Sequence, residues 1–94
     1  MNFLDFDLGW ADSQSVAVVR LTGVESDVLL VRETDVQRYR AGQTVTYWGG
    51  HYKGSPIQIR IPDSGNWHIL VVPGLGGEVR ASAQLVRRAG AAGM

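Results

Sequence analysis

The sequence predicts an all-β fold, an antiparallel two-sheet β-sandwich of about seven strands with one short helix near residues 35–41. Short segments with the period-two alternation of strands recur at intervals of roughly ten residues, and turn-forming Gly, Pro, Asp and Asn residues separate them. The regular alternation of strands with long helices, which a parallel sheet requires, is not seen. The same pattern leaves a partly open barrel as the alternative.

Seven segments carry the strand pattern. Three alternate apolar with polar residues, as strands with one buried face do, and lie at residues 4–8, 57–61 and 79–86. Three are apolar on both faces over part of their length, as central strands are, and lie at residues 15–21, 27–33 and 67–72. The seventh is residues 44–48. The predicted core consists of Leu4, Phe6, Leu8, Ile57, Ile59, Ile61, Trp67, Ile69, Val79, Ala81 and Leu85.

The short helix is predicted from its end signals. Thr34 followed by Gln37 has the spacing of a capping box, and Gly42 can close the last turn. About two helical turns are therefore expected near residues 35–41, linking two strands.

The composition limits the domain count and the compartment. A chain of 94 residues with 45% hydrophobic and 19% charged content fits one domain, which we place at residues 1–86. Residues 87–94 are rich in glycine and alanine and are predicted to be a flexible tail. No apolar run approaches the roughly 20 residues that a membrane helix needs. The absence of cysteine fits a reducing compartment, so we expect a cytoplasmic protein that binds no membrane.

Four segments together resemble a known bacterial family. They are "MNFLDFDLG" at the start, "YWGGHYKGSP" in the middle, "IPDSGNWHILV" after it and "GGEVRASAQLV" near the end. They are similar to the domain of unknown function DUF1883 over roughly residues 1–86. The resemblance implies a small all-β domain, found alone or attached to other bacterial domains, including TIR domains. It implies no assigned activity and supplies no catalytic residues.

The stretch "YWGGHYKGSP", residues 47–56, is the candidate binding surface. If Trp48, His51, Tyr52 and Lys53 are presented together, the aromatic rings can stack on a ligand while the histidine and lysine hydrogen-bond its polar edge. In this interpretation the stretch is an irregular corner that bends at its two glycines and forms an aromatic rim at residues 47–53.

A structural interpretation of the same stretch remains open. In it, Val45 and Tyr47 both face inward, and Tyr52 caps the end of the sandwich. The sequence alone does not separate the two interpretations.

Other chemistry has little support in the sequence. His51 and His68 lack neighbouring ligands at metal-binding spacing, and no serine lies in a nucleophile elbow, so we expect no metal, no cofactor and no enzymatic activity. Because the net charge is zero and the arginines are dispersed among acids, we also expect no nucleic-acid binding.

Two functional hypotheses follow. The first is a non-enzymatic binding or sensing module that uses the aromatic rim to hold an unknown protein or small-molecule ligand. The alternative is a structural or self-assembly module that pairs through an exposed sheet edge or apolar face. The residues that could supply such a face are Val16, Val18, Leu70 and Val72.

Overall fold

The computed structural model describes residues 3–75 and 77–87. Within these residues, seven strands form two antiparallel sheets, and there is one helix. The elements are β1 (Leu4–Ala11), β2 (Ser15–Gly23), β3 (Ser26–Arg32), α1 (Glu33–Arg40), β4 (Trp48–Tyr52), β5 (Ile57–Arg60), β6 (Gly65–Pro73) and β7 (Val79–Arg87). The four-stranded sheet has the order β1-β6-β3-β4, and the three-stranded sheet has the order β5-β2-β7. The prediction of an all-β antiparallel sandwich is confirmed.

The sandwich core lies between the inner faces of the two sheets. The four-stranded sheet contributes residues of β3 and β6, among them Val28, Leu30, Trp67, Ile69 and Val71, which are fully buried. The three-stranded sheet contributes every second residue of β2 and β5, and these are Ala17, Val19, Leu21, Ile57 and Ile59. The alternation along each strand therefore sorts core from surface.

The predicted core is correct in its centre and less complete at its margins. Of the predicted residues, Phe6, Leu8, Val79, Ala81 and Leu85 are half-buried and pack against the core.

Leu4 was assigned to the core wrongly, because 37% of its surface is exposed. It begins β1, an edge strand of the four-stranded sheet, where fewer residues surround it.

Helix α1 begins earlier than predicted and ends as predicted. Its N-cap is Arg32, whose side chain makes no capping hydrogen bond, so the prediction that Thr34 begins a capping box is wrong. At the other end, the Gly42 N–H donates to the Tyr39 carbonyl and the Gln43 N–H donates to the Arg38 carbonyl. This is a Schellman motif, and Gly42 adopts the positive φ of 82° that it requires.

Helix α1 covers the outer face of the four-stranded sheet. Val36 of the helix packs with Leu29, Val31 and Leu70 in a second buried cluster, separate from the sandwich core. Because of this layer, β3 and β6 are buried on both faces, which accounts for their continuous apolar sequence. Leu70 is therefore not available for an apolar exterior face, as the self-assembly hypothesis would require.

Strand β4 differs from the prediction. The segment 44–48 was predicted to be a strand, but residues 43–47 are irregular and the strand runs over Trp48–Tyr52. The prediction of an irregular corner in this stretch is therefore wrong, since β4 pairs antiparallel with β3 along its length. Gly49 has a φ of 124°, and a Cβ there would collide with the Val28 carbonyl oxygen, so the close approach of the strands requires glycine.

The last strand extends into the predicted tail. β7 reaches Arg87, the first residue of the predicted tail, which pairs with Ser15, whereas residues 88–94 of that tail lie outside the described residues. Within residues 3–75 and 77–87, no helix is long and apolar enough to cross a membrane.

The core assignment can be tested at Ile59, which lies on the inner face of β5 and is 7% exposed. The Ile59→Ala variant should lose roughly 2–5 kcal/mol of unfolding free energy because it leaves a cavity between the sheets. Gln58→Ala, on the exposed face of the same strand, should change it by only about 0.5 kcal/mol. Denaturant unfolding of both variants measures the difference, and equal losses would contradict the register of β5.

Candidate functional site

The four predicted site residues lie in and just after β4, but they do not share a surface. Successive side chains of a strand point to opposite faces of its sheet. Trp48 and Tyr52 accordingly face the sandwich interior and pack against the core, whereas His51 faces outward beside α1. Lys53 follows the strand and is exposed. The structure thus brings Trp48 and Tyr52 to one face and His51 to the other.

Trp48 is part of an aromatic cluster on the inner side of the sheet. Its ring meets the fully buried ring of Trp67 edge to face, with 5.4 Å between the centroids. The Arg32 guanidinium lies 4.5 Å from the Trp67 centroid and 5.9 Å from that of Trp48. Arg32 Nη2 also donates to both carboxylate oxygens of Asp63 at 2.8 Å. These contacts assign Trp48 a packing role.

Tyr52 is half-buried and lies opposite Ser26, the first residue of β3 and itself fully buried. It therefore closes one end of the inner face, as the structural interpretation of this stretch expects. Tyr47 does not face inward as that interpretation requires, because it lies on the outer side and is 50% exposed.

His51 is held between two carboxylates, and we call this group of three residues the His51 clamp. Asp27 lies directly opposite His51 across the β3–β4 pairing, and its Oδ1 is 2.8 Å from His51 Nδ1. Glu25 precedes β3, and its Oε1 is 2.8 Å from His51 Nε2. Since a carboxylate can only accept, both ring nitrogens donate when the imidazole is protonated.

The clamp favours the charged form of the histidine. The hydrogen bond to Glu25, followed by that to Asp27, raises the pKa of His51 above its ordinary value of 6.5. The same contact lowers the pKa of Glu25 from its ordinary value of 4.5. The side chains are about half exposed, so solvent screens these interactions and their effect on global stability is small.

A groove opens next to the clamp on the outer face. It has a volume of about 400 Å³ and is lined by Asp27, Leu29, Tyr39, Tyr47, Gly50 and His51. We call it the outer groove. Its floor is the sheet, and its walls come from α1 and from the irregular segment that connects α1 to β4. Leu29 supplies apolar surface, while the two tyrosines, Asp27 and His51 supply polar atoms.

Of the two tyrosines in the outer groove, Tyr39 was not predicted to be a binding residue, whereas Tyr47 lies within the predicted rim at residues 47–53 but was not among its four named site residues. Tyr39 is half-buried, and burial, followed by the charge of Asp27 and the nearby Tyr47, raises its pKa. Its ring also meets Phe3 edge to face at 5.2 Å. No local signal links Tyr39 to residues 47–51, because the docking of α1 brings them together. The exposure of Tyr47 could have been predicted only if β4 had been placed correctly.

The geometry predicts how the clamp responds to pH. Because folding raises the pKa of His51, the protonated ring contributes to stability. This contribution is fully present below pH 6.5 and is lost as the pH rises through the folded-state pKa. The lowered pKa of Glu25 acts in the opposite direction, so its contribution is lost as the pH falls below 4.5. The clamp should therefore be complete between these two values.

An NMR titration of the imidazole protons should give a His51 pKa above 6.5, and Glu25→Gln should lower it because the amide carries no charge. Glu78→Gln, a change of the same kind at an exposed residue outside the clamp, should leave it unchanged. A His51 pKa at or below 6.5 in the unmodified protein would contradict the clamp.

Comparison with known proteins identifies a family for the chain. No curated protein and no solved structure matches the chain. The model of the domain of unknown function DUF1883 matches residues 1–89 of the 94, which is nearly the whole chain. The resemblance seen in the four sequence segments is therefore confirmed, and the protein belongs to the DUF1883 family.

Proposed function

We propose that the protein is a non-enzymatic binding or sensing module whose ligand occupies the outer groove. The observation that carries the proposal is the meeting of two tyrosines, Tyr39 and Tyr47, with His51 around a concave space of about 400 Å³. This volume lies within the range of small-ligand sites in proteins. The proposal moves the binding surface from the predicted aromatic rim to the outer face, and of the four predicted residues it retains His51.

The tyrosines are suited to a ligand with both a flat apolar face and polar edges. Tyr47 is half exposed and lies in the irregular segment before β4, where a side chain can be presented without being needed for the core. A tyrosine combines a large rigid ring with a hydroxyl group, and binding surfaces use it for this reason. Sugars and short peptides offer matching faces.

The polar side of the outer groove favours ligands that donate hydrogen bonds. Asp27 lines the groove, and Glu25 contacts His51, which also lines it, so carboxylate acceptors outnumber the two imidazole donors of the clamp. A hydroxyl, amide or ammonium group of a ligand would find an acceptor without breaking the clamp. The pH dependence of the clamp gives the same site a means of sensing acidity.

The proposal is non-enzymatic because the groove holds no free catalytic pair. Both nitrogens of His51 are engaged by carboxylates, so the ring is not available as a general base while the clamp is formed. The residues that line the groove include no serine, threonine or cysteine nucleophile. We place the protein in the cytoplasm as part of the same proposal, since a chain without cysteine fits a reducing compartment.

Self-association through an apolar face is the second candidate. Val16 and Val86 face each other across the β2–β7 pairing on the outer side of the three-stranded sheet, and Val18 lies on the same side. Val86 is 43% exposed. Arg20 and Arg60 also lie on this side, so the face is of mixed polarity, and we rank the candidate below ligand binding.

The proposal is tested by NMR titration with a panel of oligosaccharides and short peptides. Binding should move resonances of Tyr39, Tyr47 and His51 together, and Tyr47→Ala should abolish the shifts while changing the unfolding free energy by less than about 1 kcal/mol. The matched control is Trp10→Ala, which removes an aromatic ring that is 61% exposed at the opposite edge strand, and it should leave binding intact.

Binding that survives Tyr47→Ala, or shifts confined to another surface, would contradict the outer groove as the site. A concentration-dependent dimer that is lost on Val86→Lys would instead support the second candidate. Light scattering on the same samples distinguishes these outcomes.

A further inference from the structure

The other histidine of the outer face has a buried nitrogen without a partner. His68 is 8% exposed, and its Nε2 atom makes no hydrogen bond. Buried polar atoms are nearly always hydrogen-bonded or bound to an ion or ordered water. This atom therefore calls for an explanation that the fold does not supply.

The opposite nitrogen of the ring is firmly anchored. His68 Nδ1 lies 2.7 Å from Asp5 Oδ1, and the second oxygen of Asp5 accepts a hydrogen bond from Arg40 at 3.0 Å. Both oxygens of Asp5 are therefore engaged, and its Oδ1 accepts a hydrogen bond from the Nδ1–H of His68. In that tautomer the Nε2 lone pair is free to bind a cation.

Two carboxylates converge on this lone pair. His68 Nε2 is 3.8 Å from Asp7 Oδ1 and 3.6 Å from Glu33 Oε1, so neither contact is a hydrogen bond. One ligand atom of each of the three residues lies within 4.8 Å of the others. A tetrahedral ion with bonds of about 2.0–2.2 Å sets its ligand atoms roughly 3.3–3.6 Å apart. Small movements of the two exposed carboxylates would reach that spacing.

The fold assembles the three residues from three elements. Asp7 lies directly opposite His68 in the β1–β6 pairing, and a β-bulge follows it. The Gly9 N–H donates to Asp7 Oδ1 at 2.8 Å, which holds that carboxylate at the bulge. Glu33 is the first residue of α1, and the helix carries it over β6. Bulges of this kind commonly direct a side chain toward a site.

We propose that Asp7, Glu33 and His68 bind a divalent transition-metal ion of the Zn²⁺ type, with Asp5 orienting the histidine. An imidazole nitrogen with two carboxylate oxygens suits zinc and its neighbours, whereas Mg²⁺ and Ca²⁺ prefer oxygen alone. The Asp5–His68 contact matches the carboxylate–histidine–metal arrangement that orients ligands in metal sites. Three protein ligands leave a fourth position for water or an exogenous group.

The charge around the site is consistent with a cation. Asp5, Asp7 and Glu33 contribute three carboxylates, and Arg40 is the one cationic side chain with a contact to them among the described residues. The metal site shares no residue with the outer groove, so it stands independently of the proposed function. The prediction that the protein binds no metal was made by pairing His68 only with His51. In the sheet, His68 lies opposite Val31 of β3, whereas His51 lies opposite Asp27, four residues earlier in the same strand.

The test is calorimetric titration of the chelator-treated protein with Zn²⁺, together with NMR of the imidazole nitrogens. We expect one ion per chain and a displacement of the His68 Nε2 resonance while that of His51 stays in place. Asp7→Asn with Glu33→Gln should weaken binding by roughly tenfold or more, since both carboxylates are exposed and the amides keep the shape of the side chains. Asp5→Asn should weaken binding by roughly 10- to 100-fold through loss of ligand orientation.

The matched control is Glu25→Gln with Asp27→Asn, which removes two exposed carboxylates from the other histidine. This variant should bind Zn²⁺ as the unmodified protein does. The proposal is overturned if Zn²⁺ does not bind, or if the Asp7→Asn with Glu33→Gln variant binds Zn²⁺ as tightly as the unmodified protein. It is also overturned if the control variant no longer binds Zn²⁺. Titration with Mg²⁺ should produce no displacement of His68 Nε2, and a displacement equal to that with Zn²⁺ would contradict the assigned class of metal.

Discussion

The packing of α1 on the outer face of the four-stranded sheet is the contact on which the arrangement of that face, and of both candidate sites, depends. A two-sheet sandwich of this size could leave that face in solvent, with alternating polar residues on every strand. Here Val36 of the helix is buried among Leu29, Val31 and Leu70, so β3 and β6 must be apolar on both faces. The helix thereby adds a third layer and determines where polar residues of this face can lie.

Those polar residues lie where the helix layer ends. Glu33, at the beginning of α1, approaches His68, while Tyr39, near its other end, lines the outer groove with His51. The strand partners of the two histidines on β3 are four residues apart, which corresponds to about 13 Å along the strand. One helix therefore helps to form two chemically different candidate sites on a single face, one rich in aromatic surface and one rich in carboxylates.

Much of the sandwich could be predicted from local sequence, because the alternation of residues 57–61 and the two-sided apolar strands follow directly from burial. Strand β4 could not, since Gly49 and Gly50 give it no alternation, and its pairing with β3 is a tertiary interaction. This error also affected the predicted site. A strand places Trp48 and His51 on opposite faces of the sheet, whereas an irregular corner would have placed them on the same rim.

The candidate metal site could not be predicted from the sequence, for a similar reason. Asp7 and His68 are far apart in sequence, and only the β1–β6 register places them opposite each other. The strand pattern correctly assigned Asp7 to the outer face but gave no information about which strand lies beside it. Glu33 depends in addition on the direction in which α1 crosses the sheet.

The most direct test of this account is to displace α1 without touching either site. Val36→Asp buries an unpaired carboxylate under the helix, which is costly, whereas Gln37→Asp places the same group on the exposed side of α1. Two-dimensional NMR of both variants should show the resonances of His68, Tyr39 and Tyr47 changing in Val36→Asp alone, while those of Trp67 and Ile69 keep their folded positions. If α1 loses amide protection and both sites remain unchanged, or if the sandwich core unfolds together with the helix, the account is contradicted.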